Sequence, residues 1–260
     1  MKSQPWLEIY NELNIEMPRF ADHTMGTYLE AHAQAKSDAI ALTMFDKSMT
    51  FAECNAHANR LANALSKRNI GQGDVVGLHM LNILQYVIAL AAISKLGAIG
   101  TGISPIMAPV EVAHQMLDAN VKALLSLEDL GATLEGITEL PSCLEQVIIC
   151  GIQDYDSSRT VSTPKLNGVE VTAFKELISD QSDHFEPIDV NPDSIFMIQY
   201  TGGTTGAPKG AQLSHRALIC NAQLAFATNH QSNTQGMTLG SAFPLFHVAG
   251  LTNALSCMVF

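Results

Sequence analysis

Short apolar segments alternate with segments of helical periodicity along most of this chain. Strand candidates at residues 75–80 and 98–103 enclose a helix candidate at residues 82–96. Pro109 stands where the next helix candidate, residues 110–119, would begin, and a first-turn proline sacrifices no helical hydrogen bond. Strands that alternate with helices of this length favour right-handed crossovers. The pattern therefore predicts an α/β fold with a doubly wound, largely parallel sheet and flanking helices.

The same alternation extends on both sides of this unit. Thr50 and Glu53 have the spacing of a capping box, and behind them an apolar stripe runs at helical spacing to about Lys67. Gly97 suits the residue that follows a helix C-terminus. The other strand candidates are residues 39–45, 122–127, 145–150, 194–199, 211–214 and 238–243, and the other helix candidates are residues 24–35 and 216–227.

Two kinds of interruption suggest how the chain divides. Residues 1–23 have weak periodicity and are interpreted as an N-terminal arm with a short helix near Trp6. Residues 24–260 then form one incomplete domain. A polar, turn-rich stretch and a second break place a subdomain boundary near residues 151–193.

Composition and charge exclude several classes of protein. The formal net charge is −11 and no cluster of Lys or Arg is present, which argues against nucleic acid as a partner. The five cysteines are odd in number and form no C-x-x-C pair, which favours reduced thiols in a cytoplasmic setting. The longest apolar run, residues 86–93, is far shorter than the ~20 residues that span a bilayer. The histidines have no metal-ligand spacing, so no metal site built by the protein is predicted.

Glycine and threonine are concentrated in residues 200–210, which read Tyr-Thr-Gly-Gly-Thr-Thr-Gly-Ala-Pro-Lys-Gly. Glycines let successive backbone N–H groups converge on one anion, and the threonine hydroxyls and Lys209 would add donors. Gly210 stands where a Walker loop needs Ser or Thr, and no G-x-G-x-x-G occurs. The segment predicts a phosphate cradle of another type; a mobile loop without a ligand is the alternative.

Two segments carry a resemblance to a known superfamily. Residues 201–210, followed by Leu213-Ser214-His215, resemble the first core signature of the adenylate-forming enzymes, which include acyl-CoA synthetases, luciferases and peptide-synthetase adenylation domains. They are most similar to the fatty-acyl-CoA ligase subgroup, since many other members carry serine in place of Gly202. Residues 244–250, Pro-Leu-Phe-His-Val-Ala-Gly, resemble another core motif. A lone histidine among apolar residues is more often a core residue, but the two signatures together favour a functional role for His247.

The resemblance implies an AMP-forming acyl-CoA ligase. A fatty acid and ATP would give acyl-AMP and pyrophosphate with Mg²⁺ as activator, and coenzyme A would then displace AMP. The residues implied to bind the ATP phosphates are Thr201, Gly202, Gly203, Thr204, Thr205, Gly206 and Lys209. Lys209 would also act as a supporting catalytic cation, and His247 would position the acyl carboxylate. Phe246 and Gly250 would shape the substrate pocket, although packing explains these two equally well. Tyr200, His215 and Arg216 are interpreted as sheet or helix-start residues outside the site.

The resemblance also implies an N-terminal fragment. Superfamily members continue into an adenine site, a ribose-binding aspartate and a small C-terminal domain that have no match here. This chain alone is therefore expected to be inactive. Two alternatives stay open: a nucleotide-binding module without chemistry, and an adenylation domain for an aryl or amino acid. The expected partners are small molecules, namely fatty acid, ATP and coenzyme A. Acyl chain length, oligomeric state and peripheral membrane contact are left undecided.

Overall fold

The fold is built around a seven-stranded sheet. This computed structural model describes residues 5–13, 15, 20, 22–155, 159–202, 208–227 and 238–259. The strands are β1 (Ile40–Met44), β2 (Lys47–Thr50), β3 (Val75–His79), β4 (Ile99–Gly102), β5 (Val121–Leu127), β6 (Gln146–Cys150), β7 (Glu170–Ala173), β8 (Ile195–Thr201) and β9 (Lys209–Ser214). The large sheet has the order β7-β6-β5-β3-β4-β8-β9. Every neighbouring pair from β7 to β8 is parallel, and β9 is antiparallel at one edge. The predicted α/β class with a largely parallel sheet is confirmed.

Helices cover both faces of this sheet. They are α1 (Pro5–Glu12), α2 (Met25–Ala35), α3 (Phe51–Ser66), α4 (Leu84–Leu96), α5 (Pro109–Asp118), α6 (Gly131–Glu135), α7 (Phe174–Ser179), α8 (His215–Ala227) and α9 (Val248–Val259), with a short 3-10 turn at Glu128–Leu130. Side chains of α2, α3, α4, α7, α8 and α9 form one apolar core with the sheet. Side chains of α5 and α6 form a second core with residues of β3, β5 and β6.

The β3-α4-β4 unit lies at the centre of the sheet. Every residue of α4 is buried, as expected for a helix that is apolar all round. The helix ends at Gly97, whose φ of 61° is the left-handed conformation of a C-terminal cap. The capping box of α3 also forms: Thr50 N donates to Glu53 Oε2 at 2.8 Å, and Glu53 N donates to Thr50 Oγ1 at 3.2 Å. The capping residues in the sequence therefore predicted the start of α3 and the end of α4 correctly.

Two predictions about local structure need correction, and two elements were not predicted. Residues 238–243 form no strand; they are exposed and irregular, and the carbonyls of Ser241 and Phe243 accept from a side chain in the turn after β3. The predicted turn at residues 46–48 runs into β2, which pairs antiparallel with β1. The strand β7 and helix α7 lie between the two predicted breaks, and β7 joins the large sheet beside β6. The subdomain boundary near residues 151–193 stays a prediction.

None of the helices in the described ranges is long and apolar enough to cross a membrane.

Candidate active site

The glycine-rich segment connects two strands, β8 and β9, that pair antiparallel. Thr201, the last residue of β8, pairs with Lys209, the first residue of β9, and Tyr200 pairs with Gly210. Directly opposed residues in an antiparallel pair point to the same face, so the Thr201 hydroxyl and the Lys209 amine lie on one side of the loop base. Both residues and Gly202 are exposed. The predicted cradle residues Gly203, Thr204, Thr205 and Gly206 lie outside the described residues.

A side-chain contact fixes the start of this hairpin. The Tyr200 hydroxyl donates a short hydrogen bond to the carboxylate of Asp118, the last residue of α5. Burial raises the pKa of the Tyr200 phenol, and the Asp118 carboxylate raises it further. The phenol therefore stays protonated at neutral pH and ties β8 to α5 just before the loop begins.

The second motif is held by Asn82, which lies between β3 and α4. Its Nδ2 donates to Phe243 O at 2.9 Å and to Ser241 O at 3.2 Å, while Leu245 N donates to its Oδ1 at 2.8 Å. One amide thus fixes both sides of Pro244. These bonds explain why the preceding residues follow an irregular path.

His247 directly precedes helix α9. Its backbone N–H donates to Pro244 O at 3.0 Å, and its Nδ1 accepts from Ala249 N at 3.3 Å. A neutral imidazole that accepts at Nδ1 carries its proton on Nε2. The side chain is exposed, so this Nε2–H is a donor placed at a helix N-terminus, where backbone N–H groups favour an anion.

Close packing brings the second motif onto the strand beside the loop. A Cβ on Gly102, the last residue of β4, would lie 2.7 Å from Phe246 O and 2.8 Å from Phe246 Cα. Only glycine permits this approach. Because β4 pairs with β8 through Thr101 and Ile198, the Phe246 segment rests on the strand next to the one that leads into the loop. The two sequence signatures therefore lie at the carboxyl ends of adjacent parallel strands, where ligands of open α/β sheets bind.

Gln115 on α5 is hydrogen-bonded to the end of β4, and Thr101 links that strand to β8. Its Nε2 donates to Gly102 O at 2.9 Å and to Thr101 Oγ1 at 3.1 Å, and Thr101 Oγ1 donates to Ile198 O at 2.9 Å. The Tyr86 hydroxyl is buried nearby and has no hydrogen-bond partner among the described residues. Sequence analysis missed Asn82, Gln115 and Tyr86 as site residues. Two signals were available: Asn82 is a polar residue in the short turn after a buried strand, and Gln115 interrupts the apolar stripe of α5.

The two predicted pocket residues have packing roles. Phe246 is half-buried against the larger core. Gly250 is buried, and a Cβ there would lie 2.1 Å from Pro244 O, so glycine is required for the turn to close on α9. Their place in an acyl pocket stays a prediction.

The residues that sequence analysis left outside the site have structural partners. His215 is buried and stacks on Phe196 with ring centroids 4.4 Å apart. Arg216 pairs with Asp193 at 2.7 Å and with Asp22, which ties the start of α8 to the N-terminal arm. Within the described ranges, no group of three or more His, Cys, Asp or Glu residues could hold a metal ion.

Comparison with known proteins gives a consistent result. The model of the AMP-binding enzyme family matches residues 29–260. A long-chain-fatty-acid–CoA ligase of Salmonella typhimurium strain LT2 is 30% identical over 246 residues, which is 88% of this chain and 43% of that protein. A 4-coumarate–CoA ligase of Narcissus pseudonarcissus is 28% identical over 214 residues, covering 82% of this chain and 36% of that protein.

A solved structure shows the same fold. The anthranilate CoA ligase AuaEII, crystallised with anthranoyl-AMP, superposes with a TM-score of 0.74 at 24% identity and covers 91% of this chain and 43% of its own. The chain spans less than half the length of these three proteins.

Proposed function

Because the chain belongs to the AMP-binding enzyme family, we propose that the protein activates a fatty acid with ATP and transfers the acyl group to coenzyme A. In the first step a carboxylate oxygen attacks the α-phosphorus of ATP, and the bond to pyrophosphate breaks. In the second step the thiol of coenzyme A loses its proton and attacks the acyl carbon, and AMP leaves.

The observation that carries this proposal is the contact between Gly102 and Phe246. It supports a site in which the loop after β8 holds the polyphosphate while the segment before α9 holds the carboxylate. An attack of one anion on another requires donors that offset negative charge on both sides. The two segments offer donors from neighbouring strand ends, which is the arrangement such a reaction needs.

We assign the ATP phosphates to the loop. Thr201, Gly202 and Lys209 stand at its base, and the cradle would be completed by Gly203, Thr204, Thr205 and Gly206. Lys209 would offset charge on the phosphate oxygens. Mg²⁺, when bound, would add positive charge through the phosphates themselves, since this ion is usually held by few carboxylates together with substrate phosphates.

We assign the acyl carboxylate to His247. Its Nε2–H is the free donor of a neutral ring whose Nδ1 is already engaged. A hydrogen bond to one carboxylate oxygen would leave the other oxygen available for attack. Phe246 and Gly250 would border the acyl group beside it.

A fatty acid is the substrate class favoured here. Long-chain-fatty-acid–CoA ligases are among the relatives at 27–30% identity, and Gly202 agrees with that subgroup. The coumarate ligase at 28% identity supports an aryl acid as the second candidate. Since the chain covers 43% of the Salmonella relative, we assign the whole reaction to the complete protein and expect residues 1–260 alone to be inactive.

The test is carboxylate-dependent exchange of labelled pyrophosphate into ATP by the complete gene product, with a series of fatty acids, an aryl acid and amino acids. Exchange that depends on a fatty acid supports the proposal. Lys209→Ala should lower the exchange rate at least about tenfold, in the range of a lost charge-stabilising donor. Lys165→Ala, at an exposed lysine beside α6, should leave the rate unchanged.

Two variants distinguish the proposed binding of the acyl carboxylate by His247 from its effect as a cap at the start of α9. Asparagine is a good helix N-cap, so His247→Asn should keep the free energy of unfolding, whereas His247→Ala should lower it by about 1 kcal/mol. Both should reduce exchange at subsaturating fatty acid, because both lose Nε2–H. Full exchange activity in His247→Asn would contradict the assigned role.

No exchange with any acid, together with retained ATP binding, would favour the alternative of a nucleotide-binding module without chemistry.

A further inference from the structure

The turn that leads into β7 carries a pair of residues found nowhere else in the chain. Asn167 and Gly168 form the only Asn-Gly dipeptide of the sequence, and no Asp-Gly dipeptide occurs. Gly168 has a φ of 78° while the φ of Asn167 is negative, so the two occupy the central positions of a type II turn. Both residues are exposed. The proposed function makes no use of this turn.

Steric and hydrogen-bonding restraints on this pair are weak. A Cβ built on Gly168 would meet no atom within 4 Å, and glycine itself has no side chain to crowd the approach of its backbone nitrogen to a neighbouring group. Within the described ranges, neither Gly168 N nor the Asn167 side-chain amide makes a hydrogen bond. The backbone nitrogen and the side-chain amide carbon are therefore free to approach each other.

The chain on both sides of the turn is held in place. Leu166 and Val169 pack partly buried against the second core. Glu170 then begins β7, and its backbone N–H donates to Glu145 O at 3.4 Å. Any lengthening of the main chain at Asn167 must therefore be taken up by the turn and by the start of β7.

We propose that Asn167 is a site of spontaneous deamidation and isoaspartate formation. Gly168 N loses its proton and attacks Asn167 Cγ, and the bond from Cγ to the side-chain nitrogen breaks, so that ammonia leaves and a succinimide ring remains. Water then opens the ring at either carbonyl. One product is aspartate. The other is isoaspartate, in which the main chain runs through the former side chain and carries one extra methylene.

Other exposed asparagines of the chain lack this combination. Asn120 is exposed, but the next residue is the β-branched Val121, whose side chain crowds the backbone nitrogen. Asn69 is also exposed, but Ile70 N already donates to Leu65 O at 3.1 Å. These asparagines serve as internal controls within the same molecule.

The modification would act on one edge of the sheet. Strand β7 is the edge strand at the opposite end of the sheet from β9, and it pairs only with β6 among the described strands. Isoaspartate before β7 should weaken this pairing, whereas the ends of β4 and β8 are several strands away. The proposal therefore stands independently of the adenylation reaction.

The test is ageing of the complete protein in mildly alkaline buffer, followed by tryptic digestion and mass spectrometry. The peptide of residues 166–175 contains Asn167 as its single asparagine, and that of residues 96–122 contains only Asn120. Conversion of amide to acid should accumulate in the first peptide and stay undetectable in the second. An isoaspartyl carboxyl methyltransferase should transfer labelled methyl groups from S-adenosylmethionine to the first peptide and not to the second.

Two variants separate the parts of the proposal. Asn167→Gln should abolish the methyl labelling of this peptide, because closure onto a glutamine amide needs a larger ring. Asn167→Asp adds the negative charge without the extra methylene. Before ageing, its β7 amides should exchange as slowly as those of the unaged parent, whereas the β7 amides of the aged parent should exchange faster.

Conversion at Asn167 that is no faster than at Asn120 would overturn the proposal. Conversion that occurs only after the protein is unfolded in urea would also overturn it, because the folded turn would then protect the pair.

Discussion

At the scale of single residues, the candidate site depends on a side chain that lies outside both sequence motifs. Asn82 makes three hydrogen bonds to the main chain on either side of Pro244. Without them Phe246 has no fixed path across Gly102. A single amide beside the sheet thus determines where the histidine of the second motif stands.

We expect Asn82→Ala to lower the free energy of unfolding by about 2 kcal/mol, since each of its hydrogen bonds contributes roughly 1 kcal/mol and water replaces part of them. Urea denaturation measures the loss. Amide exchange at Leu245 should accelerate more than exchange in the central strands.

Asn82→Asp is the sharper control, because it keeps an acceptor for Leu245 N but directs a carboxylate at two carbonyl oxygens. It should destabilise at least as much as alanine. A loss below about 0.5 kcal/mol in both variants, the range of ordinary surface substitutions, would show that the amide does not hold the segment.

At the scale of elements, the position of the glycine-rich loop depends on the two strands that flank it, β8 and β9. Its first strand is fixed to α5 through Tyr200 and Asp118, and its second strand is an exposed edge strand. Gln115 on the same helix donates to Thr101 of β4, and the Thr101 hydroxyl in turn donates to Ile198 of β8. Helix α5 therefore positions the strand ends that carry both motifs.

We expect Tyr200→Phe to weaken the attachment of the hairpin while keeping its ring packing. If the loop binds ATP, the KM for ATP should rise about threefold or more with kcat nearly unchanged, as for an interaction that is equally present in the ground and transition states. Pyrophosphate exchange at varied ATP concentration measures both constants.

Asp118→Asn should have a smaller effect because its amide oxygen still accepts the Tyr200 hydrogen bond. An unchanged KM in Tyr200→Phe would contradict the role given to this contact.

At the scale of the whole molecule, sequence analysis correctly predicted the features that depend only on neighbouring residues in the chain. Glu53 and Gly97 revealed the ends of α3 and α4 because capping chemistry acts within a few residues. The predicted strand at residues 238–243 was wrong because a strand needs a partner, and the alternation of apolar residues there does not show whether one exists. Asn82 could not be assigned to the second motif because its contacts lie about 160 positions away in the sequence.

Two buried histidines contribute to how the molecule responds to acid. Burial lowers the pKa of His79 to about 4 and that of His215 to about 4. Between pH 6.5 and 4 the unfolded chain binds more protons than the folded one, so stability falls as pH falls through this window. The free energy of unfolding should drop by about 3 kcal/mol for each histidine, in addition to any effect of carboxylates.

Urea denaturation at pH 7 and at pH 4.5 measures this acid-induced loss of the free energy of unfolding. His215→Phe should remove its share of the acid-induced loss, since neither His215 nitrogen has a partner among the described residues. His184→Gln, at an exposed histidine, should leave the loss unchanged. Equal acid sensitivity of all three proteins would contradict the prediction.

The pairing of β4 with β8 has a further consequence for how the molecule forms. Thr101 and Ile198 are 97 residues apart in the chain, whereas β3, α4 and β4 are consecutive. The consecutive unit can assemble early. The long chain segment between β4 and β8, which includes α5 to α7, must bring its two ends together before the two motifs lie on neighbouring strands. During synthesis the central helix and its strands would therefore be folded well before the candidate site exists.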